Sequence, residues 1–298
     1  MGEQARGIAL GVALDALIGD PRRGHPVALF GTAATRLERR VYRDSRTRGL
    51  LFTALCVGSV TALGALLPKR TAVTALATWA VLGGTTLARE GATMARHLAG
   101  DDIEAARNRL PHLCGRDPGS LGEDELARAT VESLAENTSD AVVAPLFWGA
   151  VAGVPGLLAY RAINTLDAMV GHRSPRYERF GWAAARLDDA ANYVPARLTG
   201  LLTALCSGRF RPTLRAISLY GSRHPSPNSG QCEAAFAGAL NVTLGGVNDY
   251  GGRVEHRPEL GDGPRPTTGD ISRAVTLTRR VAWAAAALAV AAVAARRK

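Results

Sequence analysis

Lysine is nearly missing from the sequence: Lys69 and Lys298 are the only two among 36 basic residues, and arginine supplies the rest. That scarcity excludes two classes of chemistry. No motif carries a lysine suited to a Schiff base, and no glycine loop ends in Lys-Ser or Lys-Thr as a Walker-type nucleotide site requires. Cysteine and histidine are also scarce. Cys56, Cys114, Cys206 and Cys232 are far apart, without paired-ligand spacing or a disulfide framework, which fits a reducing cytosolic or membrane setting. The six histidines include no His-x-x-x-His pair, which argues against structural zinc. Aromatics are 5% of the chain, so its 47% hydrophobic content rests on Ala, Leu and Val. Acidic residues number 26, leaving a net charge of +10. A basic chain suggests nucleic acid, an anionic membrane surface or an acidic small substrate. The apolar runs below favour the last two, and no nucleic-acid partner is expected. The apolar stretch from Ile8 to Ile18 contains Asp15 and no cleavage site follows it, so it does not read as a signal peptide.

Charge is absent from residues 49 to 67 and again from 71 to 88, each about the length of a bilayer-spanning helix. Pro68-Lys69-Arg70 turns the chain between them, giving a membrane hairpin; the bland alternative is a buried hairpin in a soluble helical core. Residues 281 to 295, flanked by arginines, read as a further span. Arg36, Arg39, Arg40, Arg43, Arg46 and Arg48 precede the first run, so the positive-inside rule places the region before residue 49 in the cytoplasm and returns the chain there at Arg89. Residues 141 to 160 pose a conflict, because a full span would export the Arg-rich stretch 161 to 197. The Gly153-Val154-Pro155-Gly156 break suggests a broken or re-entrant helix that dips in and returns. The expectation is an all-α, multi-pass integral membrane protein forming one catalytic domain over 1–298. It has cytoplasmic helical and loop regions, no internal repeat, and Gly/Pro/Asp-rich loops at 241 to 270 with room for a short hairpin.

VESLAENTSDAVVAPLFW, residues 131 to 148, packs Glu132, Glu136 and Asp140 into nine positions at a spacing of four and then turns apolar. On a helix all three share one face and repel one another by a few tenths of a kcal/mol per pair. Arg128 compensates only the first, so the stripe reads as uncompensated and suited to a cation; a capping box at Ser120 to Glu123 starts its helix. Four more stretches are dense in polar residues. Asp15, Asp20 and His25 lie in 13 to 31, and Asn164 and Asp167 share a face in 160 to 173. Arg186 aligns with Asp189, and Asp188 with Asn192, in 180 to 198. In 223 to 240, Ser226 reads as a helix N-cap with Pro227 at the first helical position, leaving N–H groups beside His224 and Asn228 as an anion site. Each has an ordinary structural reading as a turn, a cap or a solvated face. Carboxylates at helical spacing with nearby arginines nonetheless suit magnesium on a phosphate group.

Taken together, LDALIGDPRRGHPVALFG, VESLAENTSDAVVAPLFWGAVAGVPGLLAYRAINTLDAMVGHR, FGWAAARLDDAANYVPARL and HPSPNSGQCEAAFAGALNVTLGG closely resemble the adenosylcobinamide-phosphate synthases of cobalamin biosynthesis, the CobD/CbiB-type membrane proteins. The resemblance runs in order over nearly the whole chain. Ala141 and Ala168 depart from it, each standing where the family commonly has another small residue. It implies an ATP-dependent carbon–nitrogen ligase joining the free propionate of adenosylcobyric acid, a corrinoid, to aminopropanol or its phosphate. Chemical reasoning then assigns magnesium to Glu132, Glu136 and Asp140, with Asp188 and Asp189 as a second acidic cluster. Arg161 and Arg186 would neutralise phosphate, and Ser226 and Asn228 would cradle one. Asn137, Asn164, Asp20 and His25 complete the expected substrate-binding set, and the base is either Asp167 or His224. Beyond ATP, magnesium, the substrates and the lipid bilayer, the reading leaves room for a homo-oligomer or neighbouring pathway enzymes. The competing reading is a membrane prenyl- or phosphoalcohol-transferase, because Asp188-Asp189-x-x-Asn192 superficially resembles a diphosphate-magnesium motif; the second such motif is missing. A transporter or sensor would carry polar groups inside the clean runs, and is disfavoured.

Overall fold

The computed structural model describes residues 2–21, 24–119, 121–172, 174–249 and 254–296. In chain order its helices are α1 (Glu3–Ile18), α2 (Pro26–Val41), α3 (Arg46–Leu66), α4 (Thr71–Val81), α5 (Gly84–Ala99), α6 (Ile103–Arg109), α7 (Glu123–Thr138), α8 (Ala144–Leu166), α9 (Trp182–Cys206), α10 (Phe210–Tyr220), α11 (Ser229–Leu240) and α12 (Thr268–Ala295). Strands β1 (Leu244–Asp249) and β2 (Val254–Leu260) pair antiparallel, inside the segment expected to hold loops and a short hairpin. Among the described residues, four stretches are long and apolar enough to cross a bilayer: Arg46–Leu66, Thr71–Ala99, Glu123–Gly171 and Thr268–Ala295. They contain every run expected to enter the membrane, and the chain is an all-α membrane protein.

Two compact units interleave along the chain. The first comprises Met1–Gly83, Ala144–Tyr193 and Ala285–Lys298. Its core joins Phe52 and Cys56 of α3, Leu166 of α8, Val170, Phe180 and Ala184, with Phe52 and Phe180 ring centroids 5.2 Å apart. α1, 16 residues long, is a packed member of this unit. It packs parallel to α4, with Gly7 and Gly11 against Thr74 and Thr78 so closely that a methyl at either glycine would collide. Small residues four apart permit this approach of backbones. At the start of the pair, Glu3 accepts from the Thr71 hydroxyl at 2.7 Å, so α1 begins beside the Pro68–Arg70 turn. α4 is also shorter than the expected span, breaking at Leu82 and Gly83 after 11 residues, about 16 Å of rise. The freed Val81 carbonyl accepts from Arg161.

The break expected in 141 to 160 is a reversal. Gly153 adopts φ 66°, ψ −145°, a conformation open to glycine and costly for other residues. The two arms of α8 fold back on each other, because a side chain at Gly156 would run into the Trp148 carbonyl and one at Gly149 into Leu157. The tip reaches the α3–α4 turn, where a Cβ on Gly64 would lie 3.0 Å from the Pro155 Cα. The segment is therefore a helical hairpin as deep as the α3–α4 hairpin. Carbonyls exposed by the reversal are satisfied: Gln4 donates to Gly149 O at 2.9 Å and Arg296 to Ala150 O at 2.9 Å. Backbone inside a bilayer tolerates a break only when its polar groups find such partners.

The second unit comprises Gly84–Val143 and Val194–Ala284. Its axis is α7, whose Leu126, Val131, Leu134 and Ala135 are all buried, packed between α5 and α11. α7 begins at Glu123 and not at the expected cap: the Glu125 carboxylate accepts the Gly122 N–H at 3.0 Å, and Ser120 lies outside the described residues. Two π-helical turns, Ser139–Val143 and Asp167–Gly171, interrupt the 123–171 run. They fall on a short repeat that the sequence reading passed over, Asn137-Thr138-Ser139-Asp140-Ala141 and Asn164-Thr165-Leu166-Asp167-Ala168. Single π turns inside helices are frequent at functional sites.

Candidate functional site

In the first unit, Asp188 on α9 is the convergence point. Tyr160 donates its hydroxyl to Asn192 Oδ1 at 2.8 Å, and Asn192 Nδ2 donates to Asp188 Oδ2 at 3.0 Å. From the other side Arg161 donates to Asn164 Oδ1 at 3.3 Å, and the Asn164 amide in turn bonds Asp188. Asp188 Oδ1 is closed off from solvent and makes no hydrogen bond. Burial, followed by the neighbouring Asp167 carboxylate, pushes the Asp188 carboxyl up to about 7. Asp167 opens the second π turn and its carboxylate lies over Gly171, where any side chain would clash. Asp189 does not join this cluster; it turns toward Arg186, 3.6 Å away and largely exposed. The expected Asp188–Asp189 pair is thus divided between two directions. The geometry instead joins Asp188 with Asp167, Asn164 and Asn192. One detail inside α9 holds the frame: Pro195 has no N–H to give the Ala191 carbonyl, and the Trp148 indole donates there at 3.0 Å.

In the second unit, the carboxylate stripe has partners that its spacing did not reveal. Glu132 is 3% exposed and pairs with buried Arg116, lies 3.5 Å from Arg128, and accepts the Gly245 N–H at 2.7 Å. Arg128 also donates to the Gly245 and Val247 carbonyls at 2.6 and 2.7 Å, fixing β1 against α7. The reading of the stripe as uncompensated is corrected at Glu132, whose oxygens are occupied by donors. Glu136 is half-buried and accepts the Ser229 hydroxyl at 2.7 Å. Asn137 bonds back to Ser133, and Asp140, half-buried, sits in the first π turn, where it and Glu136 both act on Cys232 of α11.

The expected cap is built differently. α11 begins at Ser229, so Pro227 is not its first residue, and Ser226 Oγ already accepts the N–H groups of Asn228 and Ser229 at 3.3 and 3.2 Å. Asn228 Oδ1 faces Arg197 at 3.5 Å. His224 is buried, with Nδ1 3.0 Å from the Ser226 N and Nε2 3.2 Å from Arg257 and 3.8 Å from Glu233. Burial and the Arg257 charge lower its pKa, keeping the imidazole neutral. Sequence reasoning missed Arg116, Arg257 and Glu233. For Glu233 a signal existed: a lone carboxylate in the otherwise uncharged run Ser229–Leu240.

Asp20 and His25 form their own pair in the first unit, 3.6 Å apart, with His25 capping α2 by accepting the Val27 N–H at 3.2 Å. A cavity of about 520 Å³ opens at the hairpin-tip end of that unit, lined by Gln4, Lys69, Thr74, Pro155 and Arg296 among others; no expected site residue borders it. Among the described residues, no three His, Cys, Asp or Glu side chains are grouped to hold a metal by themselves. Magnesium commonly uses only one or two carboxylates plus substrate oxygens and water, and Asp188 with Asp167 fits that mode. Glu132, saturated by donors, does not.

A family described as "CobD/Cbib protein" matches residues 8–278. A protein named "Cobalamin biosynthesis protein CobD" from Mycobacterium tuberculosis is 56% identical over 297 residues, covering 96% of this chain and 95% of its own. Proteins of the same name from Stutzerimonas stutzeri and Rhodobacter capsulatus are 44% and 40% identical, covering 89% and 92% of each chain. No solved structure matches. With a family match over most of its length and relatives this similar end to end, the chain belongs to the CobD/CbiB family and is a membrane protein of cobalamin biosynthesis.

Proposed function

We propose that the protein joins the free propionate of adenosylcobyric acid to aminopropanol, or to its phosphate ester, as an ATP-dependent amide ligase. A carboxylate is a poor electrophile; phosphorylation by ATP converts it to an acyl phosphate that an amine can attack. The observation that carries the reading is Asp188: a carboxylate with one oxygen unmatched, held by two amides beside a second carboxylate on a π turn. Asp188 and Asp167 would hold magnesium, which when bound supplies charge neutralisation for the nucleotide phosphates. Asn164 and Asn192 fix the carboxylate's direction, and Arg161 reaches it through Asn164. Within the second unit, His224 is the expected base that burial and the Arg257 charge keep neutral. Asp167, occupied beside Asp188, is the poorer base. Ser226 and Asn228 remain candidates for phosphate contact only through side-chain atoms, since two of the local N–H groups are taken.

The phosphoalcohol-transferase reading loses ground because Asp188 is engaged with Asn192 while Asp189 faces Arg186. We place the Arg36–Arg48 end of the first unit in the cytoplasm, where ATP is found. The test is metabolic: cells lacking the protein should accumulate adenosylcobyric acid and be rescued by adenosylcobinamide. Rescue by adenosylcobyric acid would move the block upstream and refute the assignment.

A further inference from the structure

We infer that Glu233, with Glu136 beside it, forms a subsite for a primary ammonium group, the charged end of an amino alcohol. The inference rests on the amide-ligase reading for the identity of that amine, though not for the subsite itself. Glu233 is 1% exposed in the second turn of α11, on a helix whose other residues carry no charge. Its Oε1 faces His224 Nε2 at 3.8 Å, and its Oε2 has neither a hydrogen-bond partner nor contact with solvent. A buried acceptor without a donor is costly, and such atoms in folded proteins ordinarily await a ligand or an ion.

The surrounding charges say which kind. Facing Glu233 are Glu132 and Glu136 from α7, Cys232 from its own helix, His224 from the preceding turn, Arg257 from β2, and Arg116 from the segment before α7. Arg116 pairs with Glu132, Arg128 divides itself between Glu132 and the β1 carbonyls, and Arg257 approaches His224. Among the described residues, the Ser229 hydroxyl is the one donor to Glu136. Glu233 Oε2, without a donor, and Glu136, with one hydroxyl donor, are therefore the two acceptors of this cluster with capacity left. An anion would add charge of the wrong sign. A divalent metal on these two carboxylates is the competing occupant, and millimolar magnesium that displaced the amine would favour it. An ammonium brings one positive charge and three donors, enough for Glu233 Oε2, Glu136 and a ligand-side acceptor. Burial, reinforced by Glu132 and Glu136, also raises the Glu233 carboxyl well above its usual range, so the empty subsite carries a proton. Binding an ammonium then exchanges that proton for the ligand's charge: Glu233–COOH and R–NH₃⁺ become a paired carboxylate and ammonium, with one proton leaving to solvent.

The experiment is titration calorimetry on the full chain in detergent, comparing 1-amino-2-propanol with propane-1,2-diol, its uncharged analogue. In two buffers of different ionisation enthalpy, wild type should bind the amine with release of about one proton and prefer it to the diol by roughly 10- to 100-fold, the worth of one hydrogen bond to a charged group. Glu233→Gln should abolish the preference and the proton release while melting no lower than wild type. Unchanged amine affinity in Glu233→Gln, or a wild type that does not distinguish amine from diol, overturns the subsite; the second comparison holds even if the variant fails to fold. Selective, Glu233-dependent amine binding in a protein that forms no amide from ATP and adenosylcobyric acid would leave the subsite standing and defeat the ligase reading alone.

Discussion

Replacing Asp188 by asparagine should make the protein more stable at pH 8 and leave it unchanged at pH 4. The carboxyl titrates at about 7 against an ordinary value of 3.8, a difference of about 3 units, so the folded state binds the proton more tightly than the unfolded state. Stability is then highest while the group is protonated and falls as pH rises through the window from about 4 to about 7. Above that window the full shift corresponds to about 4 kcal/mol at 1.36 kcal/mol per unit, shared with Asp167 because the two carboxylates titrate as a pair. Asparagine keeps the acceptor that Asn192 Nδ2 uses and removes the charge. Scanning fluorimetry in detergent should show a gain of about 5 to 10 °C for Asp188→Asn at pH 8. Millimolar magnesium should raise the melting temperature of wild type at pH 8 and not that of the variant, because the ion supplies the missing positive charge. Identical pH curves for the two proteins, or equal magnesium effects, would refute the carboxylate-pair argument.

Glu132→Ala should destabilise by about 3 to 5 kcal/mol, because it strands buried Arg116, contrary to the relief of repulsion expected from the stripe alone. Denaturation of the double variant Arg116→Met, Glu132→Leu should recover most of that loss, and no recovery would mean the pair matters for another reason. Gly153→Ala should cost about 1 to 3 kcal/mol through its positive φ, with no clash to blame since the nearest atom beyond its neighbours is Gln4 Nε2 at 3.7 Å; a neutral substitution would deny the reversal. In a cysteine-free background, cysteines at 2 and 69 should label from one side of the membrane and a cysteine at 176 from the other; labelling of 2 and 176 from the same side would contradict the parallel α1–α4 pair.

Much of the fold was legible because bilayer-length apolar runs are a strong signal, and Arg46–Leu66 matches its expected run almost residue for residue. Gly153 announced the hairpin tip. The Gly83-Gly84 pair could have announced the α4 break, and Gly7 and Gly11 the packing of α1. The site was less legible because spacing along one helix reports which side chains share a face, not what arrives from elsewhere. Glu132 looked bare since Arg116 lies 16 positions away across a loop and Gly245 comes from a strand 113 positions on. Adjacent Asp188 and Asp189 looked like one cluster, yet on a helix neighbours diverge by about 100°. The paired π turns depend on hydrogen-bond geometry that residue types alone do not dictate, although the repeated Asn-Thr-x-Asp-Ala was there to be read.

The proposed chemistry can be followed by a single isotope. Purified protein in bilayer discs, supplied with ATP, magnesium, aminopropanol and adenosylcobyric acid carrying ¹⁸O in its free carboxylate, should form the amide and ADP in equal amounts. One ¹⁸O should pass into inorganic phosphate, because the acyl oxygen that attacked ATP leaves with the phosphoryl group when nitrogen displaces it. Amide formation with the label in AMP would mean adenylation instead, and ATP-independent turnover or no amide at all would contradict the ligase assignment outright.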